Sequence, residues 1–114
     1  MFDVYGITAW SPSLQVGNLY VRIMSGISEV LDISTGLIPL TSDLYDIDID
    51  AFEHFVHAIF DLYVSASHDI LKGMVEGVLL PSLVILDRTG RGIAPKSKAE
   101  EEVLNKSREL SMAR

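Results

Sequence analysis

The sequence contains no cysteine, which removes disulfides, thiolate zinc sites and cysteine nucleophiles together. Basic residues are scarce: 9 Lys and Arg face 16 Asp and Glu, a net charge of −7. Long apolar runs are missing too. The longest, around Val78 to Leu86, is interrupted by Pro81 and Ser82 and falls far short of the roughly 20 residues a membrane helix needs. The opening "MFDVYG" has neither a basic flank nor an apolar run of signal-peptide length. A cytoplasmic protein with no membrane partner is the expectation. There is no Ser/His/Asp order, no paired buried carboxylates and no Gly-rich phosphate cradle. The expectation is therefore a non-enzyme that needs no cofactor.

What is present is apolar and acidic. The 114 residues suit one domain with one core, and 48% of them are hydrophobic. With a mean hydropathy of +0.30, surplus apolar surface is expected to be covered by a partner or a second copy. Charge is unevenly spread. Residues 1–80 hold eleven acids and two bases, Arg22 and Lys72, whereas residues 81–114 hold five acids and seven bases. The acidic body repels a phosphate backbone, so nucleic acid is a disfavoured partner. The same field attracts a basic protein; solubility alone is the plainer explanation.

The pattern predicts a mainly α fold, a small bundle of about four helices with a short two-stranded β-ribbon at residues 2–8 and 44–48. The expected organisation is one helical domain over residues 1–92 and a peripheral C-terminal helix, mobile at its end, over 93–114. In "WSPS", Ser11 and Pro12 read as N-cap and first helical residue. Val16, Leu19, Tyr20, Ile23, Ile27, Val30 and Leu31 then mark an apolar face, giving a helix over 12–32. "DISTGLIPLTSD" (Asp32 to Asp43) reads as a loop. Asp50, with Glu53 three residues on, reads as a capping-box start. A single helix from 50 to about 76 is preferred, with Phe52, Val56, Ile59, Tyr63, Ile70 and Met74 inward; a break at Ser65 to Ser67 is the alternative. A turn near Gly77 then leads into a helix with Pro81 in its first turn. Ser97 and Glu100 mark a last helix with a thin apolar face.

The sharpest chemical motif is "DAFEHFVHAIFD". At roughly 100° per residue, Asp50, His54, His57, Asp61, His68 and Lys72 share one wet helix face. His54, His57 and Asp61 could hold a metal at the surface. Three ligands on one straight face nevertheless make a poor tetrahedral cage, and Glu53 precedes both histidines, unlike His-Glu-x-x-His. The assignment is no metal site; the stripe is a solvated face or part of a protein interface. Asp43, Asp46, Asp48, Asp50 and Glu53 form an acidic run without EF-hand spacing. It reads as capping and loop solvation or as a docking surface. "DRTGRG" reads as a helix C-cap turn, and Trp10 as a core anchor.

The segments "FDV…TAWSPS", "DIDIDAFEHFV", the later "SH" and "L..GMVEGVL" together resemble a family of small bacterial proteins, mostly actinobacterial, known as a domain of unknown function. The likeness rests on Phe2, Trp10, Pro12, Ser13, Asp48, Phe52 and Phe55, and covers about residues 2–90. It implies a bacterial accessory protein of the kind found near polymorphic toxin loci, and brings no activity or catalytic residue.

The functional expectation is a protein-binding, inhibitory protein. In its most specific form it is an immunity protein that sets Asp43, Asp46, Asp48, Asp50, Glu53, His54, His57 and Asp61 against a basic toxin domain. The alternatives are a self-associating helical scaffold, for instance a homodimer, and a His/Asp surface metal binder.

Overall fold

A computed structural model describes all residues 1–114, which form two compact units: Met1–Phe55 with Met112–Arg114, and Val56–Ser111. The first unit carries the sheet. β1 (Phe2–Val4) and β2 (Ile7–Trp10) form an antiparallel hairpin. Its two-residue turn has Tyr5 at φ 51° and Gly6 at φ 77°, the left-handed pair that matches the twist of a tight hairpin. β3 (Leu37–Pro39) and β4 (Tyr45–Ile47) pair antiparallel, and β4 pairs parallel with β1, giving the order β2-β1-β4-β3. The expected two-stranded ribbon is thus a four-stranded mixed sheet, and residues 2–8 hold a strand, a turn and the start of a second strand. The supposed loop 32–43 contains β3. Gly36 and Pro39 disguise it, yet Pro39 is tolerated because β3 is an edge strand, where a missing N–H breaks no ladder.

Aromatic rings fill the core of this unit. Phe2 stacks on Trp10 and Tyr45 at 5.4 and 5.3 Å, and Tyr20 meets Phe2 and Trp10 edge-on at 5.4 and 5.1 Å. Trp10 is the core anchor its sequence context suggests. Tyr20 belongs to α1 (Leu14–Leu31). The cap of α1 is Ser13, whose hydroxyl accepts from the Val16 amide at 3.3 Å, so Ser11 and Pro12 precede the helix and do not open it. Of the apolar face expected of α1, only Tyr20 and Met24 are fully buried; Val16, Leu19, Ile23 and Val30 are exposed. The C-terminal residues return to this unit, where Ser11 N–H donates to the Ala113 carbonyl at 2.8 Å.

α2 (Ile49–Ser65) begins in the first unit. Its cap is Asp48, two residues before the expected Asp50. The Asp48 carboxylate accepts from the Ala51 amide at 3.4 Å and its carbonyl from Phe52 N–H at 2.9 Å. Phe52, Phe55, Val56, Ile59 and Phe60 are buried, as the helical spacing predicts.

The second unit holds the rest of α2 with α3 (Asp69–Arg88) and α4 (Lys98–Arg108). The preferred continuous helix 50–76 does not exist; the chain breaks at residues 66–68 and restarts with His68 as N-cap. Ser65, Ser67 and Asp69 lie at the break, residue types whose side chains compete with helical hydrogen bonds. The restart leaves Ile70 and Met74, expected inside, 65% and 68% exposed. Conversely, no turn forms at Gly77, and Pro81 sits inside α3. Gly77 stands four residues before Pro81, where the ring presses on the preceding turn. Burial of Val75, Val78, Leu79, Leu83, Ile85 and Leu86 outweighs the lost hydrogen bond. Ser82 is buried and donates to the Val78 carbonyl at 2.7 Å. After α3, Gly90 at φ 78° lets Arg91 N–H reach the Leu86 carbonyl at 2.9 Å, the C-cap turn read from "DRTGRG". α4 opens on Ser97, which accepts from the Glu100 amide, while the Glu100 carboxylate accepts from Lys96 N–H. Val103, Leu104 and Ser107 are buried.

Gly36 is the tightest point of the first unit. At φ 77° it is left-handed, and a Cβ there would lie 2.6 Å from the Phe52 nitrogen and 2.7 Å from the Asp48 carbonyl oxygen. Both obstacles are backbone, so neither can rotate away. Gly36→Ala should cost about 3 kcal/mol or more of stability, read as a lower urea midpoint at unchanged m-value. A loss under about 1 kcal/mol would show that the junction yields.

Candidate functional site

The acidic residues concentrate in the first unit, where eight Asp and Glu face two bases, Arg22 and Arg114; the second unit balances eight acids with seven bases. Strand alternation decides where the central carboxylates point. β1 reads Phe-Asp-Val and β4 Tyr-Asp-Ile; Phe2, Val4 and Ile47 are buried, so each Asp projects from the opposite face. The parallel register then pairs Asp3 with Asp46. Two carboxylates stand side by side on the outer face of the sheet, in a row that runs Thr8, Asp3, Asp46, Ile38 across the four strands. The Thr8 hydroxyl donates to Asp3 at 2.9 Å. Adjacent like charges in a sheet are destabilising.

Three more acids follow in quick succession. Asp43, in the β3–β4 turn, is exposed; its carboxylate accepts from the Thr41 hydroxyl at 3.0 Å and its carbonyl from the Met1 ammonium at 2.6 Å. Asp48 caps α2 and Asp50 lies in its first turn, both exposed. There the unpaired helix N–H groups favour negative charge. Glu53 is half-buried and His54 exposed. His57 and Asp61 are exposed as well, on the part of α2 that belongs to the second unit. The wet stripe ends there, because His68 and Lys72 belong to α3. No three His, Asp or Glu side chains converge on a point where they could hold a metal.

Two features escape the sequence reading. The strands at 2–8 and 44–48 were expected to pair, but the parallel register that joins Asp3 to Asp46 was not, although the shared apolar-Asp-apolar pattern of "FDV" and "YDI" was visible. Tyr5 in the hairpin turn and Ile7 just after it are 79% and 75% exposed. Ile7 pairs with Val4 and so projects from the face opposite Asp3, whereas Tyr5, in the turn two residues from Asp3, is the type of large group that carries binding energy beside charged contacts. A cleft of about 240 Å³ opens between the start of α1 and the β3–β4 turn, lined by Ser13, Asn18, Asp43 and Tyr45 among others. It is smaller than the roughly 300–1,000 Å³ of small-molecule sites, and a broader, open groove of about 520 Å³ runs along α1.

The second unit has a polar contact of a different kind. Lys106 of α4 pairs with Glu76 of α3, and Lys72 lies 5.2 Å from the centre of the Tyr63 ring. Burial, together with Glu76, pushes the Tyr63 hydroxyl above its ordinary range, while Lys106 partly opposes this. The hydrogen bond and charge of Glu76 raise Lys106 in turn. Both groups hold their protons more tightly when folded, so their contribution is intact below about pH 10 and is lost as pH rises through the folded values. Thermal unfolding between pH 8 and 11 should show a falling midpoint. In Glu76→Gln that fall should be shallower; an identical slope would remove Glu76 as its cause.

No helix is long and apolar enough to cross a membrane. The elements define a mainly helical protein of four helices with a four-stranded mixed sheet. The chain belongs over residues 1–114 to DUF6086, a family of unknown function. No curated protein and no solved structure matches it.

The Asp3–Asp46 pair yields a direct check. Asp46→Asn keeps the shape and removes one of two neighbouring charges. Stability should rise by roughly 0.2–1 kcal/mol at low salt and the gain should shrink at high salt. A loss of stability at low salt would mean that the two carboxylates do not repel.

Proposed function

We propose that the protein is a non-enzymatic binding protein of the cytosol whose first unit docks a basic protein partner; in its most specific form it is an immunity protein that neutralises a bacterial toxin. The observation that carries this reading is the Asp3–Asp46 pair on the outer sheet face, with Asp43, Asp48 and Asp50 close by in the chain and only Arg22 and Arg114 as bases in the unit. Such a face is under repulsion when free and relieved when a cation approaches. Tyr5, in the hairpin turn two residues from Asp3, supplies exposed apolar surface near it. Lys and Arg of a substrate-binding cleft in a toxin would fit that chemistry, since an inhibitor gains most by meeting the charges an active site displays. His54 then contributes as a rim residue, whose individual worth is small, while His57 and Asp61 belong to the second unit.

Co-expression with the cognate toxin, identified by capture from the native host, should restore growth. The triple variant Asp46→Asn, Asp48→Asn, Asp50→Asn retains a capping side chain at residue 48. It should bind the partner about tenfold more slowly and lose most of the salt dependence of association. Unchanged kinetics would rule out this surface. Full toxicity beside folded, abundant protein would rule out neutralisation.

A further inference from the structure

α1 exposes an apolar stripe that its own chain does not cover. Val16, Leu19, Ile23 and Val30 are 48%, 55%, 44% and 84% exposed, and Gly26 on the same stripe has open space where a Cβ would stand. At roughly 100° per residue the five positions fall within about 80° of arc. Their spacing of three and four residues is a heptad pattern, with β-branched Val16, Ile23 and Val30 at a and Leu19 and Gly26 at d. β-branched a positions with Leu at d suit packing of two helices.

Charge identifies the occupant. The g positions beside the stripe are Arg22 and Glu29, both exposed, and neither side chain forms a hydrogen bond or ion pair within the chain. They line a shallow groove along α1 with Asn18, Ser25 and Tyr45. Seven residues apart on one helix, they stand roughly 10 Å from each other along its axis and cannot pair internally. In a parallel pair of helices a g residue meets an e residue of its neighbour, and Arg22 would face Ile27. In an antiparallel pair g meets g, so Arg22 of one copy faces Glu29 of the other, twice, across a two-fold axis. The same register sets Ile23 against Gly26 and Leu19 against Val30, so the missing side chain at residue 26 makes room for the isoleucine.

We propose that this face of α1 binds a second copy of the chain, forming an antiparallel, two-fold symmetric dimer held by the Val16–Val30 stripe and two reciprocal Arg22–Glu29 ion pairs. The occupant is self-complementary in shape and in charge, as an isologous interface requires. This inference uses neither Asp46 nor the proposed partner, and stands independently of the proposed function.

Sedimentation equilibrium on the full chain at up to about 1 mM should show a monomer–dimer equilibrium. Arg22→Glu and Glu29→Arg each place like charges opposite one another and should weaken dimerisation by about tenfold or more. Mixed in equal amounts, these two variants should pair as a 1:1 heterodimer, because every contact between them is complementary. The double variant R22E/E29R should dimerise like the parent. Val30→Asn should reduce dimerisation with helicity unchanged, and circular dichroism of each variant confirms that the fold persists. A parent that stays monomeric to about 1 mM would overturn the proposal. Single reversals that dimerise as well as the parent would do the same. Reversals that weaken the dimer but fail to pair with each other would eliminate the antiparallel arrangement.

Discussion

The approach of Gly36 to the backbone of Asp48 and Phe52 fixes much of the first unit. One glycine lets the start of β3 touch the first turn of α2 with no side chain between them. Asp48 N–H donates to the Gly36 carbonyl at 2.8 Å, and the Asp48 carbonyl and carboxylate begin the helix. Asp48 therefore closes the sheet and opens the helix at once. This junction also sets where β4 ends, and hence which side chains of β4 face the core and which face out. A side chain at residue 36 would act on the edge strand, the helix start and the acidic face together.

That geometry turns an acidic composition into an acidic surface. The carboxylates are not spread evenly: the first unit has eight acids and two bases, the second nearly balances. In the second unit, charges are partly used in packing, as with Glu76 and Lys106 between α3 and α4. In the first, Asp3 and Asp46 gain nothing from each other. A pair of this kind lowers stability in the free protein and becomes favourable only when positive charge arrives. The exposed stripe of α1 poses a parallel problem in apolar terms, since it costs solubility unless something covers it. Arg22 and Glu29 beside it match a second copy of the same helix.

Local chemistry made several elements legible from residue order alone. The Ser97–Glu100 pattern and the "DRTGRG" turn are self-contained, because each motif satisfies its own backbone groups within a few residues. The inward Phe52 and Phe55 and the outward His54 and His57 of α2 follow from helical period. What the sequence hid depends on tertiary context. Pro81 and Gly77 look like punctuation, yet burial on both sides carries α3 through them. β3 is three residues between a glycine and a proline, a strand only because β4 pairs with it. Asp3 and Asp46 are forty-three residues apart; the pairing of their two strands was legible, but the parallel register that sets the two side by side is encoded by no local pattern. The α1 stripe was legible as apolar, but its exposure was not. Six of the eight candidate site residues lie in the first unit, while His57 and Asp61 lie in the second.

The central claim is that positive charge is recognised by the outer face of the first unit. A backbone amide NMR titration with a short lysine-rich peptide at low salt measures this without knowledge of the natural partner. The account predicts shift changes concentrated at Asp3, Thr8 and residues 43–54, abolished by added salt and weakened in the Asp46, Asp48, Asp50 triple Asn variant. Shift changes spread equally over residues 56–111, or unchanged in that variant, would contradict it.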